Sequence, residues 1–165
     1  MFDSPLLCGA VATLKSRESL PNQPDYVVFG SSVGWLVLYG AITFGLKAVG
    51  FEILPELVKE SEAVLSIARA DLSNSIDVDF VCGDMLQADI TQAGIIVLTS
   101  QCWDTTLTKL VHTKLSAECR RGCVVVDYVA GLDTIPASTF SLCDTVLVPV
   151  SWNPKHPFYV FEKVS

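Results

Sequence analysis

The chain alternates short, almost wholly apolar runs with longer stretches in which apolar residues recur every three or four positions. Residues 26–29, 48–51, 78–82, 95–98 and 123–128 are runs rich in β-branched and aromatic side chains, and they read as strands. The run Ile95-Ile-Val-Leu98 is of the kind a parallel sheet buries on both faces. Between the runs, helices are predicted. Residues 33–44 form the first, with Ser31 or Ser32 able to cap it and Gly45 to end it. Pro55 opens the second, whose Leu57, Val58, Ser61, Val64, Leu65 and Ala68 make a core-facing stripe. Asp104 caps the third, which carries Leu107, Leu110, Val111, Leu115 and Cys119 and stops at Gly122. Regular alternation of this kind predicts a parallel sheet with right-handed crossovers, which takes its ligand outside the carboxyl ends of the strands. The tail departs from it. Residues 145–152 and 157–164 are two β-rich runs joined only by Asn153-Pro-Lys-His156, too short for a crossover helix, so they are expected to pair antiparallel. Ser4-Pro5 opens a short helix carrying Leu6, Leu7, Ala10, Val11 and Leu14, and Pro21 and Pro24 close the connection that follows it. Residues 1–25 are read as a peripheral lead-in and 26–165 as the domain.

At 165 residues, 50% apolar and 18% charged, the chain is one domain with enough apolar surface for its own core. It contains no stretch of eighteen uncharged apolar residues, and no positive segment precedes the apolar run at 6–14, so neither a membrane span nor a signal peptide is expected. An intracellular, cytoplasmic protein is the expectation. The six cysteines are widely spaced with no C-x-x-C, and they read as reduced core residues. A net charge of -7, with no basic run longer than Arg120-Arg121, argues against nucleic acid as a partner. His112 and His156 have no ligand-spaced partners, so no metal site is expected, and Ser138 and the other serines lack a nucleophile-elbow context.

The most informative feature is Tyr26-Val-Val-Phe-Gly30-Ser-Ser-Val-Gly34. A strand ends in a glycine-containing turn that delivers backbone N–H groups into a helix start. The next strand ends at Glu52, eighteen residues beyond Gly34, where an acid can accept hydrogen bonds from two ribose hydroxyls. Asp84 follows the third strand in the same way. Read singly, Glu52 also suits the entry of the helix at Pro55, and Asp84 suits a turn after Gly83. Neither of those readings explains both acids. Trp103, Tyr128 and Trp152 each follow a predicted strand, either walling a substrate channel or closing the end of the core.

Five parallel strands closed by an antiparallel pair, with these motifs in this order, resemble the class I S-adenosylmethionine-dependent methyltransferases over roughly residues 26–164. Within that class, Phe29-Gly-Ser-Ser-Val-Gly-Trp-Leu-Val-Leu-Tyr39, Val49-Gly-Phe-Glu-Ile-Leu-Pro-Glu-Leu57 and Leu98-Thr-Ser-Gln-Cys-Trp-Asp104 are most similar to the non-SET histone-lysine methyltransferase family and its microbial relatives. The resemblance implies an α/β fold: a Rossmann-like seven-stranded sheet of order 3-2-1-4-5-7-6, an antiparallel C-terminal pair, and helices on both faces. It implies S-adenosylmethionine as cofactor, with Gly30, Ser31, Ser32 and Gly34 beneath its methionine portion. Glu52, beside Ile53, would hold the ribose hydroxyls. Asp84 would accept from the adenine amino group and Met85 would give a backbone contact. Ser100, Gln101 and Trp103 would lie near the transferable methyl, with Gln101, Trp103, Tyr128 and Trp152 on the substrate side. The family's acceptor, a protein lysine amine, is the acceptor it suggests. In-line displacement at a sulfonium demands alignment and exclusion of water, and no obligatory catalytic residue.

Three positions depart from the family pattern. Val28 stands where an acid is usual, Ser32 where the middle glycine is usual, and Thr99 where an asparagine is usual. Loss of the acid removes a charge-assisted contact of about 1.5–3 kcal/mol, which is tenfold to more than a hundredfold in affinity. The alternative is therefore the same fold without turnover, acting as a binding or regulatory protein. A nicotinamide-dependent oxidoreductase shares the strand, loop and acid logic, but it expects G-x-G-x-x-G and lacks the antiparallel terminal pair.

Overall fold

The computed structural model describes residues 8–12, 24–71, 76–135 and 138–165. Seven strands form one sheet: β1 (Tyr26–Phe29), β2 (Ala48–Glu52), β3 (Val78–Cys82), β4 (Ile95–Leu98), β5 (Val124–Asp127), β6 (Phe140–Val150) and β7 (Asn153–Lys163). Their spatial order is β3-β2-β1-β4-β5-β7-β6. The first five are parallel, with Val28 opposite Gly50 and Val97, while β7 runs antiparallel to both β5 and β6. This is the architecture the resemblance implies.

The apolar runs of β1 and β4 are unbroken because both faces of the sheet are covered there, whereas the edge strand β3 carries exposed Asp79 and Cys82. Successive strand residues point to opposite faces. Tyr26, Val28, Val97 and Val126 therefore pack on one side with Val37 and Leu38 of α1 (Trp35–Phe44) and Leu65 of α2 (Pro55–Asp71). Val27, Phe29, Ile96, Leu98 and Val125 pack on the other side with Val111 and Leu115 of α3 (Thr105–Glu118). Each such side chain contributes roughly 1.5–3 kcal/mol by leaving water. All four residues of β1, β4 and β5 are buried, and these strands form the floor on which the loops at their carboxyl ends rest.

The structure corrects several expectations. The terminal hairpin turns at Ser151 and Trp152, not at 153–156: Val150 pairs with Asn153, Val148 with His156, and both strands are eleven residues long. Asn153-Pro154 resembles a turn, but the pairing of β7 with β5 reaches no further than Tyr159 opposite Asp127. Pro154 and Pro157 thus lie where β7 is paired on one side only, and there a missing N–H is tolerated. Only Cys119 and Cys123 are buried. The other four cysteines are exposed, although all six are free thiols. In α1 neither serine caps the helix; Gly34, at φ 84, precedes Trp35 with no side-chain cap. Leu110 is half exposed on the outer side of α3. Asp104 caps α3 as expected, its Oδ1 accepting from the Leu107 N–H at 2.7 Å.

Residues 8–12 are helical, and Ala10 and Val11 pack on the first core. The rest of the expected lead-in helix, with Leu6, Leu7 and Leu14, lies outside the described residues. Among the described residues, no helix is long and apolar enough to cross a membrane.

Candidate functional site

The loop from β1 to α1 is held from three directions. The Gly30 and Ser31 N–H groups donate to the Phe51 carbonyl of β2 at 2.9 and 3.0 Å. The Thr99 hydroxyl lies 3.0 Å from the Phe29 carbonyl and 2.8 Å from that of Gly30, and its single hydrogen is shared between them. The Ser61 hydroxyl, buried on α2, reaches the Ser32 carbonyl at 3.0 Å. Gly30, Ser32 and Gly34 all adopt positive φ, of 74, 50 and 84. Ser32 is the only non-glycine residue to do so among the described residues, and a Cβ in that region costs about 1–2 kcal/mol. A Cβ on Gly34 would stand 2.5 Å from the Phe80 ring, so this glycine serves the packing of α1 on β3.

Glu52 joins the loop to the next helix. Its Oε2 accepts from the Ser32 N–H at 2.9 Å, and its Oε1 accepts from the Ile53 and Leu54 N–H groups at 2.9 and 3.1 Å. The carboxylate thus does two things at once. It fixes the glycine loop and satisfies the backbone just before α2. Of roughly four lone-pair directions on a carboxylate, three are used, and one on Oε2 remains.

A cavity of about 1010 Å³ opens above the carboxyl ends of the strands. Gly30, Ser31, Ser32, Glu52 and Ile53 line it from β1 and β2, while Asp84 and Met85 line it from β3. Gln101 and Trp103 follow β4, Tyr128 follows β5, and Trp152 lies at the hairpin turn; these line it from the other side. Two of the sequence-predicted residues do not. Gly34 is turned to Phe80, and Ser100 is buried beneath the lining. Asp84 is exposed, and its Oδ1 accepts from the Leu86 N–H at 2.9 Å, capping a short 3-10 turn at Met85–Gln87. Ser31 is buried, and its hydroxyl has no hydrogen-bond partner among the described residues. The lining contains the acids Glu52 and Asp84 and no Lys, Arg or His.

Sequence reasoning missed the group behind this wall. Asp127 ends β5 fully buried; its Oδ1 accepts from the Ser100 hydroxyl and from the Val129 N–H, the latter at 3.1 Å. One carboxylate therefore ties the turn carrying Gln101 and Trp103 to the segment carrying Tyr128. Its Oδ2 stands 3.9 Å from Nε2 of buried His112, and neither atom has a hydrogen-bond partner among the described residues. Asp127 could have been found by the rule that picked out Glu52 and Asp84, since it too is an acid closing a strand. Nearby, Tyr128 stacks on Trp152 with centroids 6.3 Å apart and planes at 27°, and it packs on Phe158 at 4.2 Å. Burial raises the Tyr128 phenol above its ordinary value of 10.0. Among the described residues, no cluster of three or more His, Cys, Asp or Glu side chains could hold a metal ion.

The fold is that of S-adenosylmethionine-dependent methyltransferases of known structure. An RNA methyltransferase from Salinibacter ruber, crystallised with S-adenosyl-L-homocysteine, superposes with TM-score 0.69 at 21% identity, covering 100% of this chain and 94% of its own. The magnesium protoporphyrin IX methyltransferase of Synechocystis PCC 6803, with bound S-adenosylhomocysteine, gives 0.65 at 15% identity over 95% of this chain and 81% of its own. A mitomycin 7-O-methyltransferase gives 0.64 at 10% identity; 94% of this chain is matched, and it spans about half, 53%, of that protein. No family model and no curated protein matches the sequence.

Proposed function

We propose that this protein binds S-adenosylmethionine and transfers its methyl group to an acceptor held in the same cavity. The observation that carries the reading is the convergence of Glu52 and Asp84, from the ends of neighbouring strands, on one cavity beside the loop Gly30–Ser31–Ser32. The fold, shared with methyltransferases of known structure, supports it. In this reading Glu52 uses its remaining lone pair on the ribose, with Ile53 beside it, and Asp84 and Met85 take the adenine. The loop Gly30–Ser31–Ser32 lies beneath the methionine portion. Gly34 and Ser100 act from behind, Gly34 by seating α1 and Ser100 by holding the turn that bears Gln101 and Trp103.

When bound, the cofactor supplies a methyl activated by its sulfonium: an acceptor lone pair takes the methyl, the C–S electron pair stays on sulfur, and the acceptor's proton leaves to water. The chain's own work is alignment and exclusion of water. Trp103, Tyr128 and Trp152 are apolar walls for that purpose, and Gln101 offers an amide to orient the acceptor. A lysine amine as acceptor, in the manner of the non-SET histone-lysine methyltransferases, rests on the motif resemblance alone. Six free thiols suit a reducing compartment, so an intracellular setting belongs to this reading.

Calorimetric titration with S-adenosylmethionine and S-adenosylhomocysteine tests the proposal. Saturable binding that Glu52→Gln weakens is the expected result; no heat and no thermal shift at millimolar cofactor would remove it. A second reading, binding without turnover, is favoured by Ser32 at positive φ and by Val28 buried in the apolar core. It predicts that Ser32→Gly strengthens cofactor binding in a protein that methylates nothing.

A further inference from the structure

We infer that the acceptor side of the cavity takes a planar aromatic molecule without phosphate, stacked on the Tyr128–Trp152 pair. The inference rests on the methyl-transfer reading only for the word acceptor. Its evidence is the aromatic series at the end of β5. Phe158 is buried in the core; Tyr128 packs on it at 4.2 Å; Trp152 stacks on Tyr128 at 27° and is 60% exposed. His156 closes the group at 5.6 Å from Tyr128 and 6.0 Å from Trp152. An indole left this exposed on a two-residue turn forgoes most of its own burial, while the rings behind it fix its place.

The near-parallel stack offers one broad face. A cage for an ammonium group needs faces that converge around it, whereas a flat face matches a flat ring. Charge narrows the choice further. The cavity lining holds two carboxylates and no cationic side chain, and His156 stands outside that lining with its Nε2 buried, so no cation there meets a phosphate, and the chain's net charge of -7 repels one. A neutral or cationic ring system is accepted and a nucleotide or nucleic acid strand is not.

The test uses 2-naphthol as probe, read by quenching of tryptophan emission and by calorimetry, with and without S-adenosylhomocysteine. Saturable binding is expected, weakened about five- to a hundredfold by Trp152→Ala, the range for losing one aromatic stacking partner. Trp152→Phe should recover most of it, and 2-naphthyl phosphate should bind more weakly than 2-naphthol. Trp152 sits on an exposed turn, so a melting curve like the parent's is expected for the variant; if it does not fold, Trp152→Phe and the phosphate comparison decide. No saturable naphthol binding, binding indifferent to Trp152, tighter binding of the phosphate, or binding of an aromatic-free lysine peptide in its place would each overturn the inference. Naphthol bound through Trp152 by a protein that ignores S-adenosylhomocysteine would uphold this site and remove the methyl-transfer reading. The reverse pattern would do the opposite.

Discussion

Glu52→Gln separates the two tasks of the acid at the end of β2. The glutamine carbonyl can keep the Ile53 and Leu54 donors, but each bond falls from the charge-assisted range of about 1.5–3 kcal/mol to about 0.5–1.5 kcal/mol. Its amide nitrogen meets the Ser32 N–H donor to donor, so the third bond is lost. Ser32 is exposed, and water takes up its N–H; the change therefore comes to about 2–4 kcal/mol, less than three full bonds. For a chain of this length each kcal/mol is about 2–4 °C in Tm, which gives a fall of roughly 5–15 °C. Losing the ribose acceptor adds a weakening of S-adenosylhomocysteine binding of about tenfold to a hundredfold. Circular-dichroism melting and calorimetric titration read the two effects separately. A Tm within about 2 °C of the parent refutes the clamp. A lowered Tm with unchanged affinity keeps the clamp and removes the ribose role.

Substitutions at three further positions test the scaffold. Gly34→Ala places a Cβ at φ 84 and 2.5 Å from the Phe80 ring, so strain and overpacking together should cost about 2–4 kcal/mol in urea unfolding; a loss under about 1 kcal/mol would show that β3 yields easily. Burial, with smaller help from Tyr39 and Tyr128, raises the Tyr26 phenol far above 10.0. The neutral form is the one the fold holds, so its stabilisation is intact below about pH 10 and lost above it at up to about 1.4 kcal/mol per pH unit. Tyr26→Phe should flatten that alkaline limb, and since the hydroxyl has no partner among the described residues, it should not destabilise at neutral pH; urea midpoints at about pH 8 and about pH 11 decide. Asp127→Ala removes the acceptor for Ser100 and Val129 and should cost about 2–3 kcal/mol, whereas Asp127→Asn keeps an acceptor and should cost about half of that. Equal unfolding midpoints for Asp127→Ala and the parent would remove the tie between the two walls.

The strands were legible because burial on both faces leaves no polar position to interrupt an apolar run, as in Ile95–Leu98 and in residues 124–126 of β5. Their order in the sheet followed from the resemblance, since pattern alone does not say which runs are neighbours. The hairpin turn was misplaced because Asn153-Pro154 has turn chemistry, while what permits it in a strand is the early end of β5, a fact of pairing. The cavity-lining acids were legible as strand-terminal carboxylates. The job of Gly34 was not, because the ring that requires a glycine there belongs to Phe80, far along the chain. Likewise nothing in Ser100 as a letter distinguishes a lining hydroxyl from one turned inward to Asp127. Four cysteines lie on exposed positions that a hydrophobicity argument assigns to the core.

The missing acid at Val28 has a structural counterpart. An acid at the end of a first strand is useful because it accepts from the backbone of the loop that follows; here the Ser32 N–H of that loop is accepted by Glu52, from the next strand. With the loop also tied at its carbonyls by Thr99 and Ser61, its backbone is held without a charge at position 28. Position 28 lies wholly inside the cluster formed with Val37, Leu38 and Val97, where an ionised carboxylate would be stranded and a valine contributes burial. The consequence falls on Glu52. In this chain the backbone leaves it a single open direction on Oε2.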